Sequence, residues 1–139
     1  MKDIILDTNC LLICLPSQSK FHRVWTAFLD KNYHLCISNE IINEYEEVLA
    51  KQTSPAFADL IVQTILSREN TIRISPAYRF NLIAADPDDN KFVDCAIAAN
   101  ADYIVSQDAH FDILKTIDFP KINVIRIDDF TKELEQEKN

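Results

Sequence analysis

The sequence predicts a three-layer α/β/α domain around a central, mostly parallel sheet of about five short strands. Three observations carry this reading. Short β-branched apolar runs recur along the chain, and the segments between them have helical spacing. Aspartates directly follow two of the runs, where open parallel sheets present ligand-binding groups.

In order, Asp3–Leu6 is the first strand, and Phe21–Leu29 is a helix with its apolar stripe at Phe21, Val24, Trp25 and Phe28. His34–Ile37 is the second strand. Ser38 or Asn39 is then available to cap a helix whose inner face is Ile41, Ile42, Tyr45, Val48 and Leu49. A further helix, Phe57–Leu66, follows Pro55, and Thr71–Ile74 is the third strand. The Asp86-Pro87-Asp88-Asp89-Asn90 run supplies a turn and a cap for a helix over Lys91–Asn100. Asp102–Val105 and Asn123–Ile127 complete the strands, with short helical segments at Phe111–Thr116 and Phe130–Gln136. Residues 1–131 form one domain, and the charged tail 132–139 is expected to fray.

A chain of 139 residues is long enough to bury a core of its own, and 47% hydrophobic with 26% charged residues is an ordinary globular balance. No apolar run reaches the roughly 20 residues of a membrane span, and the N-terminal apolar stretch is bracketed by Asp3 and Asp7, unlike a secretory signal. The expected location is the cytoplasm. Cys10, Cys14, Cys36 and Cys95 lie in or beside apolar runs without metal-site spacing, so they read as reduced, buried side chains. Glycine is absent, which excludes a Walker loop, a dinucleotide-binding turn and a nucleophile elbow. Turns must rely on Asn, Asp, Pro and Ser. The net charge of −8 argues against a broad basic surface for nucleic acid. It leaves room for acids concentrated around a metal and for a basic protein partner.

Four acids stand out. Asp7 follows Ile4-Ile5-Leu6, and Asp108 follows the Ile104-Val105-Ser106-Gln107 run. Asp94 is the only charge within Phe92–Ala99, an almost wholly apolar helix in which an isolated carboxylate costs several kcal/mol unless paired or metal-bound. Glu44 shares its helix with Ile41, Tyr45 and Val48. Each also has a structural alternative: Asp7 and Asp108 as caps, Asp94 paired with Lys91, and Glu44 on a solvated face beside Glu40, Glu46 and Glu47. If the carboxylates converge, they raise one another's pKa, and a hard divalent cation such as Mg2+ or Mn2+ relieves the repulsion. His22, His34 and His110 are scattered and form no pair with a Ser or Cys nucleophile. A receiver-like phospho-acceptor domain also carries strand-end aspartates, but it requires paired acids near the start and a lysine after a late strand, and no base follows Asn100–Gln107 before Lys115.

Asp7-Thr8-Asn9, the stretch Ser38–Leu49 around Glu44, the stretch Asp86–Ala99, and Tyr103-Ile104-Val105-Ser106-Gln107-Asp108 resemble, in order, the four motifs of the PIN-domain nucleases. The resemblance covers nearly the whole chain. It implies an α/β/α fold, metal-dependent hydrolysis of RNA phosphodiester bonds, and Asp7, Glu44, Asp94 and Asp108 as the metal-site acids. Asn9, through its amide, and Ser106, through its hydroxyl, would orient them, and Asp89 is an additional acid. Small single-domain members are commonly VapC-like toxins of type II toxin–antitoxin pairs. The implied partners are therefore an RNA substrate, a small antitoxin protein and a second copy of the chain. The alternatives are a catalytically weak PIN module that binds a protein partner and a housekeeping RNA-processing nuclease. The chain departs from many relatives at Gln107, where they have Gly, and at His110, where they have a second acid. A one-metal site follows unless Asp112 or Asp89 substitutes.

Overall fold

A computed structural model describes residues 1–84 and 86–137. Five strands form one all-parallel sheet: β1 (Asp3–Leu6), β2 (His34–Ile37), β3 (Thr71–Arg73), β4 (Tyr103–Val105) and β5 (Val124–Ile125). Their spatial order is β3-β2-β1-β4-β5. β1 is therefore central, with Ile4 paired to Leu35 on one side and Tyr103 on the other. Successive side chains of a strand face opposite ways, and Ile4, Ile5 and Leu6 are all buried, so both faces of the sheet are covered.

Among the described residues, six α-helices flank the sheet: α1 (Thr8–Cys14), α2 (His22–Leu29), α3 (Asn39–Gln52), α4 (Pro55–Ser67), α5 (Asn90–Ala99) and α6 (Ile127–Glu137). The chain winds outward from β1 through β2 to β3, then crosses back to β4 and β5. Helices from the two halves meet, α2 packing on α6 and α3 on α5. The reversal between β1 and β4 opens a crevice at their carboxyl ends, and α5 lies against both strands.

The expected strands and helices all have counterparts, with differences at their ends. Helix α1 is an addition: Asp7 accepts the Asn9 N–H, and the side chains of Cys10, Leu11 and Cys14 are buried along one stripe. The fifth strand contracts to Val124–Ile125 because Ile127 opens α6, whose first turn carries Asp128 and Asp129 at the positive end of the helix dipole. The segment expected as a helix at Phe111–Thr116 is a 3-10 helix over Ala109–Thr116. The boundary at 131/132 falls inside α6, where Leu134 is buried and Glu133 pairs with Lys2 at 3.0 Å. Residues 138 and 139 of the tail lie outside the described residues.

Without glycine, left-handed positions among the described residues fall to two asparagines and to Lys31, with φ 63°. Asn100 ends α5 with φ 50° and ψ 48°, and Asn81 has φ 53°. The four cysteines are free and buried, and burial pushes the thiols of Cys14, Cys36 and Cys95 up to about 12. No helix among the described residues is long and apolar enough to cross a membrane.

Candidate active site at the carboxyl ends of β1 and β4

Asp7 is the first residue beyond β1, and burial leaves it only 6% exposed. Both of its oxygens are engaged. The backbone N–H of Asn9 donates to Oδ1 at 2.8 Å, and the Ser106 hydroxyl donates to Oδ2 at 2.5 Å. Ser106, the first residue beyond β4, also accepts the N–H of Asp108 at 2.9 Å. One buried hydroxyl thus couples the loops that leave two adjacent strands. Asp108 in turn accepts the His110 N–H at 2.9 Å, capping the 3-10 helix that follows.

Asp89, in the 3-10 turn Pro87–Asp89 just before α5, completes the group. Its Oδ2 is 3.2 Å from His110 Nδ1, and that nitrogen is 3.3 Å from Asp108 Oδ1 and 4.0 Å from Asp86 Oδ2. Asp86, Asp89 and His110 are spaced to hold a metal ion. Glu44 comes from α3: Lys91 donates to its Oε1 at 2.6 Å, and the Thr8 hydroxyl donates to Oε2.

Burial, and secondarily the charges of Asp108 and Glu44, raise the Asp7 carboxyl above the ordinary aspartate value, against the lowering effect of its bonds to Ser106 and Asn9. Burial pushes Asp89 up to about 6; the charge of Asp108 adds to it, the His110 hydrogen bond opposes it, and Asp86 and Asp7 contribute less. Carboxylates that resist ionisation at a sheet switch point have the character of a cation-binding site.

A family model described as the PIN domain matches residues 3–110. The chain belongs to the PIN domain family. No curated protein matches it by sequence. Among solved structures, its PIN fold is similar to VapBC2 from Rickettsia felis bound to a DNA fragment from its promoter. The identity is 18%, over 89% of this chain and 98% of that one, with a TM-score of 0.63. DNA-bound VapBC from Salmonella typhimurium is similar at 19% identity over 91% and 99%, with a TM-score of 0.62. VapC20 from Mycobacterium tuberculosis, a toxin that cleaves the sarcin-ricin loop, is similar at 11% identity over 81% and 94%, with a TM-score of 0.55. At these identities the likeness is one of fold.

Within this PIN domain, Asp7, Glu44, Asp89 and Asp108 act on one another, and Asp94 stands apart. Asp94 is buried as its apolar neighbours imply, but its Oδ1 accepts the Phe80 N–H at 3.0 Å, and the side-chain charges that act on it are those of Arg79 and Glu40. Burial raises its pKa, and the Phe80 amide and Arg79 lower it. Lys91, the alternative partner weighed for Asp94, pairs with Glu44. Asp94 thus ties the 75–84 segment to α5, beside the link in which Asn90 exchanges hydrogen bonds with the backbone of Ile83 at 2.9 Å. Asn9 contributes its backbone N–H; its exposed side chain forms no hydrogen bond among the described residues.

Sequence reasoning did not point to Thr8, weighed Lys91 only as a partner for Asp94, marked His110 only as a departure where relatives have a second acid, and ranked Asp89 below Asp94. The helical period carried the missing signal: Asp89 and Asp94 are five residues apart, about 140° around a helix, so one helix end cannot aim both at the same point.

Proposed function

We propose that this PIN domain is a metal-dependent endoribonuclease that hydrolyses RNA phosphodiester bonds, and that it is the toxin of a type II toxin–antitoxin pair. The observation that carries the nuclease reading is the convergence of Asp7, Glu44, Asp89 and Asp108 at the crevice between β1 and β4. The family match and the VapC-type fold support the toxin assignment.

The donor chemistry fits a hard or borderline divalent ion, Mg2+ or Mn2+, because carboxylate oxygens predominate and burial, with the charge of Asp7, keeps the neighbouring Cys10 thiol protonated. Asp7, Asp89 and Asp108 would hold it, with Glu44 at the edge. When bound, such an ion supplies a water of lowered pKa and neutralises charge that develops on the phosphoryl group.

The chain's own residues do the rest. Ser106 and the Asn9 amide fix both oxygens of Asp7, so that this carboxylate needs little reordering to meet a cation. Thr8 and Lys91 hold Glu44 in the same way. The Lys91 ammonium lines a surface groove with Asn43, Glu44, Glu47 and Asp88 and is positioned to receive a phosphate oxygen of the RNA. Near the crevice, base is scarce and acid abundant, so substrate binding is tied to the cation that masks the carboxylates.

The test is cleavage of RNA by purified chain with Mg2+ or Mn2+, with EDTA and Asp7→Asn as controls. Cleavage that survives both controls would sink the nuclease assignment. The toxin assignment requires growth arrest on expression and relief by a small protein encoded next to this gene. Harmless expression with no such neighbour would leave a housekeeping nuclease.

A further inference from the structure

We propose that His110 is a nitrogen ligand in the metal site and makes this chain select Mn2+ over Mg2+. The inference rests on the metal-dependent reading above and adds the identity of one ligand and of the ion.

The backbone sets the position of the ring. The His110 N–H is held by Asp108 Oδ1 in the first turn of the 3-10 helix, which turns the imidazole back toward the acids. Nδ1 then has three carboxylate oxygens from three different residues around it, at 3.2 Å, 3.3 Å and 4.0 Å. A single N–H can satisfy only one or two of them, so negative charge converges on this nitrogen beyond what a hydrogen bond absorbs.

The separations also suit shared coordination. Ligands about 2.1 Å from one ion lie about 3.0 Å apart when adjacent in an octahedron and about 4.2 Å apart when opposed. The contact to Asp89 matches an adjacent position, and the contact to Asp86 is near the opposed limit. Asp86, Asp89 and His110 offer ligand atoms all within 4.8 Å of one another, so these three can share an ion after exchange of the ring proton to Nε2, while Asp108 stands outside that set and keeps the His110 N–H. With its side chain 42% exposed, His110 leaves the outward side of the ion open to water.

The nitrogen decides the metal. Mg2+ demands oxygen ligands and holds its waters, whereas imidazole raises affinity for first-row transition ions. Carboxylate oxygens still outnumber the one nitrogen, and Mn2+ is the transition ion that tolerates such a set best.

Pulsed electron paramagnetic resonance of the wild-type chain with one equivalent of Mn2+ reads the ligand without any activity. Nitrogen-14 modulation is expected in the wild type and should vanish in His110→Asp and His110→Gln. Calorimetric titration should give Mn2+ at least ~10-fold tighter than Mg2+ in the wild type, and His110→Asp should shrink that ratio toward ~1. Bound Mn2+ without nitrogen modulation would overturn the assignment while leaving a metal-dependent nuclease intact. Failure of either ion to bind, together with EDTA-resistant cleavage, would remove both readings. The wild-type spectrum does not depend on whether a variant folds.

Discussion

Asp89→Asn should make the metal-free protein more stable at neutral pH, although Asp89 belongs to the proposed active site. Its carboxyl titrates at about 6 in the folded chain, against an ordinary 3.8. That gap of about two pH units corresponds to about 3 kcal/mol, an upper figure because the neighbouring acids titrate together. The sign follows from which state holds the proton more tightly. A raised acid favours the folded state below pH ~4; stability then declines as pH rises, and the full penalty is present above ~6. The assay is urea unfolding of wild type and Asp89→Asn in EDTA between pH 4.5 and 7.5, read as the difference between the two chains so that other groups cancel. At pH 4.5, already above the unfolded value, about a third of the difference should be present, and at pH 7.5 the variant should lead by about 1–3 kcal/mol. Saturating Mn2+ should reverse the order, because the ion stabilises the wild type in proportion to its occupancy. A difference independent of pH, or a variant less stable at pH 7.5 without metal, would refute the reasoning.

Other consequences follow from particular contacts. Asp94→Asn keeps an oxygen for the Phe80 N–H, so RNA cleavage should stay within about 3-fold of wild type, whereas Asp7→Asn should lose at least ~100-fold; equal losses in the two would return Asp94 to the metal site. Ser106→Ala frees both the Asp7 carboxylate and the Asp108 N–H, and metal affinity by calorimetry should weaken about 10–100-fold with the fold intact by circular dichroism. The fully buried Tyr45 hydroxyl donates to the Leu6 carbonyl at 2.5 Å, tying α3 to the end of β1. Tyr45→Phe should therefore lower unfolding stability by about 1–2 kcal/mol, and an unchanged urea midpoint would exclude that tie.

The sequence by itself determined the layers and the crevice. Ile4-Ile5-Leu6 and Ile104-Val105 are apolar on both faces, and only a sheet covered on both sides accommodates such strands. The residues next in the chain, Asp7 and Ser106, inherit their places at the strand ends from that local pattern. Glycine's absence was likewise enough to foresee asparagine at left-handed positions such as Asn81 and Asn100, though not Lys31 at the third.

Only the tertiary structure decided how the remaining charges were shared. Lys91 is three residues from Asp94 and far in sequence from Glu44, yet it pairs with Glu44, because α5 turns that face toward α3. Asp94 is buried as its apolar neighbours demanded, but the group that satisfies it is a backbone N–H at Phe80, a donor every residue carries and no sequence pattern marks. His110 meets Asp89 and Asp108 through the geometry of two 3-10 turns on separate loops. Burial is written in local composition, which periodicity reads directly. Partner choice depends on which faces approach one another after the sheet has formed, and that information is spread over the whole chain.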